Sequence, residues 1–126
     1  MQDETANDRG QATLELLLVL PLLLFLLVVL VQFALWYQAE QTTIAAAQEG
    51  AAQVSTHGGD AAAGQKRAEL LMAGVSAMSS PPQVTVAPAG TGQISVSVSA
   101  EMQSLIPGVS GFSLHATALA HVEQLP

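Results

Sequence analysis

The sequence predicts a membrane-anchored α+β protein: a long N-terminal spine helix, transmembrane and then exposed, a second short helix, and a small antiparallel sheet of about three strands. Three observations predict it. Residues 16–31 form an uninterrupted apolar run, and a proline-free stretch rich in Ala and Gln follows over residues 38–54. Beyond Pro81 and Pro82 the hydrophobic period changes from 3.6 to 2. With 126 residues there is room for one domain and none for a multidomain enzyme. Ten acidic and three basic side chains, a net charge of −7, leave no electrostatic footprint for nucleic acid. The absence of cysteine excludes a disulfide scaffold, a thiolate zinc site, a cysteine nucleophile and a lipoprotein anchor.

With Gln32 as its only polar interruption the apolar run extends to Tyr37, about 33 Å of helix and enough to span a bilayer. A cleaved secretory signal would need a basic leader, a core of about 7–15 apolar residues and a small-residue cleavage site. Here Asp3, Glu4 and Asp8 outnumber Arg9, the core is longer, and Phe33, Trp36 and Tyr37 stand where that site should be. Trp36 and Tyr37 fall where an aromatic belt anchors a span at the interface. Arg9 precedes the span and no Lys or Arg follows it until Lys66, which places the N-terminus inside and the remainder outside. Pro21 lacks an N–H for the carbonyl of Leu17, a local defect that membrane helices tolerate.

At the head of the span, Arg9 and Gly10 are followed by Gln11 and, after Ala12, Thr13 and Leu14, by a single carboxylate, Glu15. Two readings stand. Glu15 is an interfacial charge reaching the headgroups, or the junction is a prepilin-type processing site. In the second reading a membrane-embedded peptidase cuts after Gly10, whose lack of a side chain permits close approach of a protease backbone. Residues 1–10 are then a cytoplasmic leader, residues 11–37 the membrane helix, residues 38–54 its extracytoplasmic continuation, and residues 55–126 a small α+β region. The new ammonium of Gln11 would lie one helical turn from Glu15, which could neutralise it within the same subunit or in a neighbour.

Past the span, Ala47, Ala51 and Val54 continue a face that begins at Glu40 and Ile44, giving a helix of about 44 residues and about 66 Å from Gln11. Small residues on this half would let another helix approach closely. Residues 55–60 form a turn cluster in which Asp60 caps a second helix running to about Met78, with Leu70, Leu71, Val75 and Met78 as its apolar stripe. Val84 and Val86 then alternate with polar neighbours, as do Ile94, Val96 and Val98, with residues 88–92 as a hairpin loop between them. A third alternation carries Phe112, Leu114, Ala116, Ala118, Ala120 and Val122 on one face. Phe112 is the only aromatic residue beyond the span, so the region outside the membrane is thin in core material and is expected to be completed by a partner subunit.

No catalytic constellation emerges, and no metal or cofactor is expected. His115 and His121 share a strand face with Glu123, a reach too long for a compact metal site, and His57 stands apart. Ser110, between Gly108 and Gly111, misses the nucleophile-elbow spacing by one residue.

The run Arg9-Gly10-Gln11-Ala12-Thr13-Leu14-Glu15, Pro21 within a Leu/Val span, Gln32-Phe33-Ala34-Leu35-Trp36-Tyr37 and Ala45-Ala46-Ala47-Gln48-Glu49-Gly50-Ala51 together resemble the TadE-like family, minor pseudopilins of tight-adherence (Tad/Flp) pilus systems. The low-lysine, Ala/Val/Gly-rich composition is similar to actinobacterial members. The resemblance implies a structural or assembly role without catalysis in a pilus or related adhesion or secretion apparatus. It implies Gly10, Gln11 and Glu15 as the processing site. The implied partners are a prepilin peptidase, other minor pseudopilins, pilus assembly platform proteins and the lipid bilayer. The implied location is the bacterial cytoplasmic membrane, crossed once. The alternative is an unprocessed single-pass protein with a small extracytoplasmic binding module.

Overall fold

The computed structural model describes residues 2–56, 58–75 and 78–122. One helix, α1 (Gln2–Thr56), takes up 55 residues and about 82 Å. It is longer than expected because it also takes in the residues ahead of Gly10 and passes through Pro21 without ending. After a turn at Gly58 and Gly59, both with positive φ, α2 (Ala61–Met72) begins as expected on Asp60, whose carboxylate accepts the Ala62 N–H at 3.1 Å.

The end of α2 differs from expectation. It stops at Met72, where Ala73 N–H bonds to the Glu69 carbonyl and Gly74 and Val75 close tighter turns onto Leu71 and Met72. Met78 forms a lone β-bridge with Met102 instead of a last helical turn, and residues 76 and 77 lie outside the described residues. Of the expected stripe, Leu71, Val75 and Met78 are half-buried against the core and only Leu70 stands off it. Gly64, Ala68 and Met72 face inward, whereas Leu70 is 60% exposed.

The sheet has order β1-β2-β3, antiparallel throughout, from β1 (Gln83–Gly90), β2 (Gln93–Met102) and β3 (Phe112–His121). The expected hairpin loop is shorter, since Pro88 pairs with Ile94 and Gly90 with Gln93 across a bulge. Only Thr91 and Gly92 turn the chain, and Gly92 has φ 70°. The alanine-rich β3 is a strand despite the helical preference of alanine. Burial of Leu114 and Ala120 beside Val96, Val98 and Ala100 of β2 decides it.

The outer half of α1 packs on β3 and β2, and α2 packs on α1 and β1. On α1 the buried face is Gln32, Ala39, Thr43, Ala46, Ala47, Ala51 and Val54. Ala47, Ala51 and Val54 were expected there; Ile44, 37% exposed, falls outside it and Thr43 takes the inward place, its hydroxyl donating to the Ala39 carbonyl at 2.7 Å. The crossing of α1 and α2 is set by two glycines. A Cβ on Gly64 would sit 2.7 Å from the Gly50 carbonyl oxygen, and one on Gly50 would sit 3.0 Å from that of Gly64. The close helix approach expected of the small residues is therefore met within the chain, by α2. Arg67 adds an exposed ion pair to Glu49 at 3.7 Å, worth about 0–1 kcal/mol.

Candidate functional site

The junction residues Arg9, Gly10, Gln11 and Glu15 all lie exposed on α1, ahead of any contact with the rest of the chain. Thr13 donates its hydroxyl to the Arg9 carbonyl at 2.9 Å, an in-helix bond that holds this turn closed. A Cβ built on Gly10 would meet nothing within 4 Å. Packing inside this chain gives no reason for glycine there, and glycine in a helix interior costs about 0.5–1 kcal/mol relative to alanine. Gln11 and Glu15 stand four residues apart on the helix, the spacing at which side chains are neighbours.

From Leu14 to Leu30 the large apolar side chains of α1 project outward, Leu18 with 76% of its surface exposed. An 18-residue window here has mean hydropathy 3.1, and none of it is buried against the fold. A soluble protein does not leave an apolar surface of this extent in water. Trp36 and Tyr37 part company. Trp36 is half-buried, packed against the cluster of Ala39, Ala46 and Met72 with its ring 6.0 Å from that of Phe33, while Tyr37 is exposed.

At the boundary between these two halves lies a residue whose part the sequence did not disclose. Gln32 is 2% exposed, and its Oε1 accepts the Leu105 N–H at 2.7 Å, across 73 positions of chain. That bond assigns the amide orientation, since a backbone N–H needs an oxygen opposite it. Its Nε2 is buried with no partner among the described residues. Beside it runs a groove of about 530 Å³ between α1 and the loop before β3, walled by Val29, Phe33, Trp36, Ile106 and Phe112. The one signal available in the sequence was that Gln32 alone interrupts the apolar run.

Among the described residues the remaining polar side chains do not gather at one place. His115 and His121 project from the outward face of β3, in contact with Thr117 and Gln93 respectively at 3.4 Å. Glu123 and His57 lie outside the described residues. Among the described residues no three His, Cys, Asp or Glu side chains gather as metal ligands. Ser110 sits in an exposed loop.

The geometry defines a class: among the described residues one helix long and apolar enough to cross a membrane, carrying a small α+β region packed on its outer half. Residues 10–52 match the model of the family described as TadE-like protein, so the resemblance read from residues 9–51 holds over that segment, which begins at Gly10 and lies wholly within α1. The matched segment covers 43 of the 126 residues. No curated protein and no solved structure matches the chain.

Proposed function

We propose that this chain is a pseudopilin-type structural and assembly component of a Tad/Flp-type pilus or related secretion apparatus, cut by a prepilin peptidase after Gly10. The observation that carries the reading is the family match beginning at Gly10, taken with a glycine that the fold itself does not require. The cut leaves Gln11 as the new N-terminus at the positive end of the helix dipole, with Glu15 one turn on as its counter-charge. To reach the peptide bond the peptidase must open α1 locally, and Gly10 is the weakest helix former in that turn. The mature chain stays in the cytoplasmic membrane through residues 11–37, with the sheet on the extracytoplasmic side. There it meets other minor pseudopilins and the assembly platform, and it performs no catalysis of its own.

The test is the intact mass and N-terminal sequence of the protein extracted from native membranes. A chain starting at Gln11 is expected; an intact Met1 overturns the processing. Gly10→Ala is expected to leave the protein in the membrane at full length. Because a Cβ there touches nothing, a processing defect in that variant reports on the peptidase contact and not on the fold. A second reading, an unprocessed single-pass protein with a small binding module, draws on the unbroken course of α1 through residues 2–15. It requires the leader to persist.

A further inference from the structure

We infer that the loop of residues 103–111, with the groove it forms against α1, is a second membrane contact that seats the domain in the lipid interface and takes a lipid acyl ester. The inference rests on the reading that α1 spans the bilayer.

Depth is the first argument. The Gln32–Leu105 bond of 2.7 Å pins the loop to the helix one residue past the end of the uninterrupted apolar run, about one helical turn short of Trp36 and Tyr37, the aromatic residues that mark the interface. Composition is the second. No Asp, Glu, Lys or Arg occurs anywhere in residues 102–122, and the loop turns Leu105 and Val109 outward, 50% and 45% exposed, beside an exposed Pro107. These side chains add apolar surface to the domain beside Gln32, where the neighbouring Ile106 lines one groove with Phe33 and Trp36.

Backbone economy is the third. Backbone groups of an irregular segment that are bonded within the chain lower the cost of bringing it toward hydrocarbon. Here Ser104 Oγ accepts the Ile106 N–H at 3.1 Å, Val109 N–H bonds to the Ile106 carbonyl at 3.3 Å, Leu105 N–H is held by Gln32, and Gly108 makes the turn with φ 79°. The groove supplies the last argument. Its walls are apolar, and the buried Nε2 of Gln32 at its side has hydrogens with no acceptor. An acyl ester offers that pairing: a hydrocarbon chain for Phe33, Trp36, Ile106 and Phe112, and a carbonyl oxygen for the amide.

The chain has no cysteine, so single Val109→Cys, Thr117→Cys and Leu24→Cys variants of the full-length protein each take one environment-sensitive fluorophore. They are placed in phosphatidylcholine–phosphatidylglycerol nanodiscs and quenched either by doxyl-labelled lipid or by aqueous iodide. The expected result is a Val109 probe with blue-shifted emission, quenched by the lipid and shielded from iodide, as the Leu24 probe is, while the Thr117 probe on the outward sheet face shows the reverse. A Val109 probe that follows Thr117 while Leu24 remains lipid-quenched overturns the inference and leaves the span intact. Loss of lipid quenching at Leu24 overturns both. For the ester contact, Gln32→Met is expected to reduce lipid co-purifying with the protein, and unchanged lipid retention overturns that part.

Discussion

The two halves of α1 obey opposite rules. Up to Leu27 its large side chains, mostly leucine, all project outward; from Gln32 onward the residues that face inward are, Gln32 apart, small ones, alanine, threonine, glycine and valine, and they are buried. The inner half is built to be solvated by hydrocarbon, where bulk and apolarity on every side are favourable. The outer half is built to be approached, where a missing side chain is what lets α2 and the sheet come close. The same secondary structure thus serves two solvents, and residue size, not helix propensity, marks the change.

That contrast can be broken from the buried side first. Met102, 1% exposed at the end of β2 and bridged to Met78, belongs to the domain core, and Met102→Ala is expected to lower domain stability by about 2–5 kcal/mol through the cavity it leaves. Denaturant titration of the detergent-solubilised chain, followed by near-ultraviolet circular dichroism, reads it. Next comes the helix crossing: Gly64→Val must push apart backbones whose carbonyl already lies 2.7 Å from the added Cβ, for a loss of about 1–3 kcal/mol in the same titration. Asp60→Ala removes the cap of α2 and is expected to cost about 1 kcal/mol, with faster amide exchange confined to the first turn of that helix. The smallest effect is expected on the other half. Leu24→Ala deletes as many carbons as Gly64→Val adds, yet it should leave the domain's denaturation midpoint unchanged, because nothing in the fold packs on it. A shift there would mean that the span and the domain are coupled, and the division at Gln32 would fall.

Much of this was legible beforehand in patterns that act locally. The span follows from sixteen consecutive apolar residues, the Asp60 cap from its side-chain oxygen, and all three strands, with their inward residues, from period-2 alternation. The misplaced details have one cause. Leu70 and Ile44 are conspicuous apolar residues of α2 and α1, and both are exposed, while Gly64, Ala68, Gly50 and Val54 meet at the α1–α2 contact. A hydrophobicity pattern weights large side chains, and at a crossing governed by closeness the large ones are the ones excluded. For the same reason α2 ends where Met72 has reached the core, and the chain leaves the helix to bring Met78 to Met102. At the junction, the spacing of Gly10 and Glu15 left an interfacial charge and a processing site both open, and the open space around Gly10 was not legible.

By itself, then, the sequence determined what depends on neighbours along the chain: a helix that must leave water, a cap, and strands whose faces alternate. Only the tertiary structure decided what depends on distance across it. It decided which face of α1 is covered, that two glycines carry the helix crossing, and that Gln32, a lone polar residue in an apolar run, fastens a loop 73 residues away to the top of the span. A buried amide in such a place is costly unless something answers it, and the partner that answers it comes from a part of the chain that no local pattern could connect to it.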